Sequence, residues 1–222
     1  MFGRIARRYD LMNTLMTGGQ DASWRRLAVR TARPPRDGLA LDVGTGTGKL
    51  AAALARAMPR GRVVGVDVAE PMLRNAPGAI FQVPDGGRVT LALADALALP
   101  FDDDRFDCAT TAFTVRNVAD VRQAFGELKR VVRPGGRVVC LELSQPRIPL
   151  WEPIFGLYFG RIVPLIGRLV AGDAGAYTYL PESVAAFLSP EVLAAEMARA
   201  GLHQIRWRRL GLGAVTLHVG RA

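Results

Sequence analysis

Five residues, Gly44-Thr45-Gly46-Thr47-Gly48, stand directly between an apolar run, Leu39-Ala-Leu-Asp-Val43, and a helix-forming stretch, Leu50–Met58. Glycines at that junction allow a tight strand-to-helix turn and leave room for a ligand beside the backbone. The same strand-then-helix order repeats along the chain, and this repetition narrows the fold more than any other feature. Arg62-Val-Val-Gly-Val66 is a second buried strand closed by Asp67, and Val89–Ala94 is a third, ending at Asp95. Phe106–Phe113 is a fourth and Arg137–Leu143 a fifth, entered through the turn Arg133-Pro-Gly-Gly136. Between them, Pro71 stands where a helix start tolerates it, and Val121, Phe125, Leu128 and Val132 keep helical spacing. Strands alternating with helices pair in parallel, which predicts an α/β fold with a doubly wound sheet. The end of the chain departs from that rhythm. Glu191–Ala200 is helical, and His203–Leu210 and Ala214–Gly220 then flank Gly211-Leu-Gly213 as a hairpin, giving an antiparallel edge.

A Gly-rich loop alone is weak evidence, since many such loops are only turns. Here two acids strengthen it. Asp67 closes the next strand 19 residues after Gly48, where a carboxylate accepts from both ribose hydroxyls. Asp95, followed by Ala96, ends the third strand and can accept from an adenine amino group. The plainer readings are a solvated strand-end acid for Asp67 and a loop cap for Asp95. Three strand-end features at one edge of a parallel sheet mark the place where such folds bind ligands. The spacing G-x-G-x-G, together with the terminal hairpin, favours S-adenosylmethionine over a dinucleotide. A parallel sheet ending in an antiparallel hairpin resembles the Rossmann-like class I methyltransferases, with seven strands, flanking helices and an apolar insertion.

Charge and cysteine content exclude other classes. The 29 Lys and Arg outnumber 20 acids, and the excess sits at the ends. Residues 1–36 hold eight Arg against Asp10 and Asp21, and residues 199–222 hold five Arg and no acid. Only Cys108 and Cys140 are present, so a disulfide scaffold is excluded. Two scattered His without ligand spacing predict no metal site. MFGRIARRYD has no apolar run behind it, and the most apolar stretch, 148–171, is broken by charges, Gly and Pro. A cytoplasmic protein is expected, peripheral at the inner face of the cell membrane.

Several strings together resemble the C-methyltransferases of menaquinone and ubiquinone biosynthesis, the demethylmenaquinone methyltransferase-like family. They are Phe2-x-x-Ile5-Ala6-x-x-Tyr9-Asp10-Leu11-Met12-Asn13, Gly19-Gln20-Asp21 with Trp24-Arg25, Arg116-Asn117-Val118, Leu141-Glu142-Leu143-Ser144, Tyr177-x-Tyr179-Leu180 and Leu217-His218-x-Gly220. The resemblance spans essentially the whole chain. It implies donor contacts at Thr47, Asp67, Asp95 and Ala96, beside the loop glycines Gly44, Gly46 and Gly48. The family often has Ser where this chain has Ala112, so Thr111 or Thr114 is expected to replace that hydroxyl.

Such a family methylates a ring carbon of a polyprenylated quinol, demethylmenaquinol to menaquinol being the expected reaction. A ring carbon becomes nucleophilic when the adjacent phenol, of ordinary pKa ~10, loses its proton. Arg116 and Asn117, just after the fourth strand, are expected to favour that oxyanion, with Tyr9 as a further hydrogen-bonding partner. Each has a plainer reading: a surface ion pair for Arg116, a turn for Asn117 and a core aromatic for Tyr9. His218 reads as structural. The chain is divided into an N-terminal helical lid (1–36), a donor-binding core (37–145), an apolar insertion (146–183) and a C-terminal helix and hairpin (184–222). The insertion suits an isoprenoid tail, a lid core or a homodimer contact. The basic ends suit an anionic membrane surface, roughly 1 kcal/mol per Arg at most. Three other functions stay open: the ubiquinone-pathway benzoquinol reaction, a non-catalytic nucleoside-binding scaffold of a quinone-synthesis assembly, and RNA methylation. No N-P-P-Y-type tetrapeptide follows the fourth strand, so nucleic acid is not the expected partner.

Overall fold

The computed structural model describes residue 14 and residues 17–80, 82–83, 86–145 and 183–222. Tyr9, Met12, Leu15, Met16 and the insertion apart from Ser183 lie outside the described residues. The chain runs through α1 (Asp21–Ala32), β1 (Leu39–Val43), α2 (Lys49–Ala57), β2 (Arg62–Asp67), α3 (Glu70–Leu73), α4 (Pro77–Ile80) and β3 (Val89–Leu93). It continues through β4 (Phe106–Ala112), α5 (Val121–Val131), β5 (Val132–Leu143), α6 (Pro190–Arg199), β6 (His203–Leu210) and β7 (Val215–Arg221).

The strands form one seven-stranded sheet ordered β3-β2-β1-β4-β5-β7-β6. Strands β1 to β5 are parallel, and β7 runs antiparallel to β5 and to β6. The predicted sheet and hairpin edge are therefore present. After β2 and β3 are laid outward to one side of β1, the chain crosses to β4 on the other side. This leaves a switch point above the carboxyl ends of β1 and β4, where a crevice opens.

Each face of the sheet has its own core. On one, Trp24, Ala28, Leu50 and Leu54 of α1 and α2 pack with Val139, Leu141 and Leu217. On the other, Phe125, Leu128, Leu193 and Met197 of α5 and α6 pack with Val43, Val138 and Cys140. Helix α5 starts where Asp120 accepts the Gln123 N–H at 2.9 Å, and Ser189 caps α6 by accepting from Val192. Arg133-Pro-Gly-Gly136 does not simply precede β5. Val132 already pairs with Phe106, and the register resumes at Cys108 with Arg137 after the turn. Gly135 turns at φ 80, and a Cβ on Gly136 would stand 2.7 Å from the Asp107 carbonyl oxygen, so the two glycines permit this excursion.

Helix α1 lies within the region expected as a lid, yet it buries Trp24, Ala28, Val29 and Ala32 against the sheet and α2. It forms a wall of the crevice through Arg25.

Candidate active site

The Gly-rich loop is shaped by its neighbours. Gly44 has φ 68, and a Cβ there would lie 2.1 Å from Thr114 Oγ1, so no larger residue fits. The Thr114 hydroxyl lies 3.2 Å from the Gly44 carbonyl oxygen, tying the end of β4 to the loop after β1. Gly46 has φ 55 and donates its N–H to Asp67 Oδ2 at 2.8 Å. The other Asp67 oxygen accepts from Ala69 N–H at 2.8 Å. A carboxylate offers about four lone-pair positions, so Asp67 is oriented by the backbone and keeps acceptor capacity for a ligand. Asp95 is exposed and accepts from Leu97 N–H at 2.9 Å.

These groups surround one cavity of about 320 Å³ at the switch point. Gly44, Gly46, Thr47, Asp67, Asp95 and Ala96 line it, and Gly48 caps α2 beside it with φ 78. At the β4 end, Ala112, Phe113, Thr114 and Asn117 complete the wall. Thr114, not Thr111, thus brings a hydroxyl to the cavity where Ala112 has none; Thr111 Oγ1 is buried without a hydrogen-bond partner.

Arg116 and Asn117 part company. Asn117 lines the cavity, on the short turn Val115–Asn117. Arg116 is not among the lining residues. Its Nη1 donates to Glu142 Oε1 at 2.7 Å and to the Phe113 carbonyl at 2.6 Å, with only 5% of the side chain exposed and none of Glu142. Its Nε is buried without a partner. The plain surface ion pair weighed for Arg116 is thus replaced by a buried one. Phe113 itself has φ 58, a conformation that costs a bulky residue about 1–3 kcal/mol and persists only where surroundings impose it. Its N–H donates to the Leu141 carbonyl at 2.8 Å, and its ring lies 5.9 Å from the Arg25 guanidinium.

Three further residues belong to the site and had no role assigned from the sequence: Asp42, Arg25 and Glu142. Asp42 lines the cavity floor, accepting from Thr45 Oγ1 at 2.7 Å and Thr110 Oγ1 at 2.8 Å. Burial pushes its carboxyl up to about 6, against those two hydrogen bonds and the Arg25 charge, which hold it down. Arg25 is buried, lines the cavity and pairs with Asp21 one turn earlier on α1. The signal available for Asp42 and Glu142 was an acid inside an otherwise apolar strand, which demands a partner. His218 is structural: its buried Nε2 lies 2.9 Å from the Pro190 carbonyl, its ring stacks on Trp207, and desolvation lowers its pKa.

Among the described residues no group of three or more His, Cys, Asp or Glu could hold a metal ion, and no helix is long and apolar enough to cross a membrane.

The model of the ubiE/COQ5 methyltransferase family matches residues 1–222. The chain belongs to this family. It is 49% identical to the demethylmenaquinone methyltransferase of Roseiflexus castenholzii over 99% of this chain and 91% of that protein. It is 43% identical to the ubiquinone/menaquinone biosynthesis C-methyltransferase UbiE of Geobacter sulfurreducens over 99% and 86%. Among solved structures, a SAM-dependent methyltransferase from Thermotoga maritima superposes with a TM-score of 0.65 at 21% identity, covering 99% of this chain and 97% of that one, which shows the shared fold. As a ubiE/COQ5 family member the chain is an S-adenosylmethionine-dependent C-methyltransferase of quinone biosynthesis.

Proposed function

We propose that the chain methylates a ring carbon of demethylmenaquinol, with the cavity at the β1–β4 switch point as the donor site and Asn117 at its acceptor end. The observation that carries this reading is the arrangement around that cavity. Backbone-held Asp67 and Asp95 stand at one end, and Asn117, with Arg116 and Glu142 behind it, stands at the other. The donor set fits S-adenosylmethionine: Asp67 accepts from ribose hydroxyls, Asp95 from the adenine amino group, and glycines leave the loop backbone open. When bound, the donor supplies a methyl group on a positively charged sulfur, activated for displacement along a line.

The chain's own residues then have three tasks. They favour the quinol oxyanion, exclude water and hold the turn that carries Asn117. Asn117 donates a hydrogen bond to the ring oxygen as its proton leaves. A guanidinium offers donors and no acceptor, so Arg116 is not the base. Its pairing with Glu142 and the Phe113 carbonyl fixes the turn Val115–Asn117, and the phenolic proton leaves to water. With the donor bound, the ring carbon would take the methyl while the sulfonium leaves as a neutral thioether, and the ring proton would pass to water. The family resemblance assigns Tyr9 to hydrogen bonding at the acceptor, and the apolar composition of 146–183 suits an isoprenoid tail.

Membrane contact follows from the substrate, and the charges divide. Arg221 pairs across with Arg137, and Arg33 and Arg206 lie close enough to lower the Arg137 pKa. Arg137 in turn pairs with Cys108, well before the carboxyl end of β4. This cluster therefore sits away from the cavity. Arg26 and Arg30 of α1 line a groove of about 720 Å³ that shares Arg25 and Lys49 with the donor cavity. With Arg56 they are cations that this groove offers to anionic headgroups beside the donor cavity. Flotation with anionic vesicles should weaken in Arg26→Gln/Arg30→Gln and persist in Arg206→Gln/Arg221→Gln; the reverse pattern contradicts this assignment.

The direct test is methyl transfer from labelled S-adenosylmethionine to reduced quinones. Label in menaquinol supports the reading, and label only in a benzoquinol assigns the ubiquinone branch, which the Geobacter relative's name also covers. Donor binding without transfer, unchanged in Arg116→Ala, marks a scaffold.

A further inference from the structure

Resting on the donor reading above, we propose that Arg25, held by Asp21, recognises the α-carboxylate of the donor's amino-acid moiety. The cavity spans the carboxyl ends of four adjacent strands, β3, β2, β1 and β4, about 14 Å at ordinary strand spacing. Its halves offer opposite chemistry. At β2 and β3 stand the carboxylates Asp67 and Asp95, which accept from hydroxyl and amino groups and repel another carboxylate. Arg25 and Lys49 are the cations among the described lining residues. Arg25 is at the β4 end, since its guanidinium lies over the Phe113 ring. An elongated ligand with a hydroxylated nucleoside at one end and a carboxylate at the other therefore fits in one direction.

Arg25 is also prepared for that contact. Its ion pair with Asp21 spans one turn of α1, and α1 is anchored by Trp24, Ala28 and Val29 in the core. The Phe113 ring, fixed by its backbone bond to Leu141, limits the guanidinium from one side. A guanidinium carries five N–H groups in a planar fork, and the bond to Asp21 uses Nη1. A second carboxylate meeting the fork forms charge-assisted hydrogen bonds with little ordering of the side chain left to pay. The Arg25 charge already acts at Asp42, so it is felt inside the cavity.

S-adenosylmethionine and its decarboxylated form differ only in the carboxylate, and calorimetric affinities for both provide the test. The wild type is expected to prefer the intact donor by roughly 10- to 100-fold. Arg25→Gln should bring the two ligands within about twofold by weakening the intact donor alone. Because that change leaves Asp21 buried without its partner, the double variant Asp21→Asn/Arg25→Gln is measured beside it and should show the same levelling. Equal weakening of both ligands marks Arg25 as merely structural and overturns the proposal. So does unchanged discrimination, or discrimination lost in Lys49→Met while Arg25→Gln retains it. A wild type that binds neither ligand removes the donor reading itself.

Discussion

The two ends of the cavity are built by different means. At β2 and β3, exposed or half-buried carboxylates are oriented by backbone N–H groups from their own loops: Gly46 and Ala69 on Asp67, Leu97 on Asp95. At β4, the groups are buried ion pairs from distant parts of the chain, Arg25 with Asp21 and Arg116 with Glu142, around Phe113 in a left-handed conformation. Local backbone geometry suffices where the nucleoside is held. A buried network that tolerates no missing member surrounds the end where chemistry is proposed. The first end should therefore lose affinity when altered and keep its fold, and breaking an ion pair of the second should cost stability.

The largest effect expected is at Glu142. Glu142→Gln leaves the Arg116 charge buried without its counter-ion, and urea unfolding should show a loss of about 3–5 kcal/mol. The double variant Arg116→Met/Glu142→Leu should recover most of that stability without recovering methyl transfer. If Glu142→Gln folds as stably as the wild type, the contrast between the two ends fails.

Gly44→Ala joins the two ends in one position, because its Cβ meets Thr114 across the switch point. It is expected to lose donor binding and to cost about 3–4 kcal/mol, read by calorimetry and denaturation.

Asp42 gives the pH test. Its folded pKa of about 6 lies above the ordinary 3.8, so the folded state holds that proton more tightly than the unfolded chain. The stability it contributes is complete below pH 3.8 and is lost as pH rises through about 6. The gap corresponds to about 3 kcal/mol, and Asp42→Asn, which never ionises, should gain that much relative to the wild type between pH 4 and pH 8. Because the donor is cationic, wild-type affinity should also rise as pH passes about 6, and Asp42→Asn should flatten that rise. A parallel pH dependence in wild type and variant counts against a buried, ionising Asp42.

The smallest effect is at Thr114. Thr114→Val removes one hydroxyl contact to Gly44 and should cost about 1 kcal/mol, with donor affinity changed only a few-fold.

The half of the site that holds by local geometry was legible in the sequence. A strand, three alternate glycines and a helix, followed by strand-end acids, fix positions through short-range backbone constraints. Asp67 and Asp95 are therefore where the spacing places them. The other half depends on partners far apart in sequence. Nothing around Arg116 indicates that Glu142 of β5 takes its guanidinium, because that pairing depends on the β4–β5 register. Arg25 stands in the sequence as one of eight arginines of a basic segment and in the string Trp24-Arg25, and neither indicates its burial, which follows from how α1 packs on the sheet. The turn before β5 was found, but not that Val132 pairs ahead of it, since two glycines can leave and rejoin a strand without changing its sequence signature. Nor does the sequence around Trp24 show that it packs against Gly211 and the core, a contact made across most of the chain's length.

The division between holding and reacting is tested most directly by measuring, for Asp67→Asn and Asn117→Ala, both donor affinity and the single-turnover methylation rate at saturating donor. Asp67→Asn should weaken the donor by roughly 10-fold or more while leaving the saturated rate within about twofold. Asn117→Ala should bind the donor like the wild type and react roughly 100-fold more slowly. If both variants change affinity and rate together, or if Asn117→Ala reacts at the wild-type rate, the two ends of the cavity are not divided in this way and the assignment of Asn117 to the acceptor is wrong.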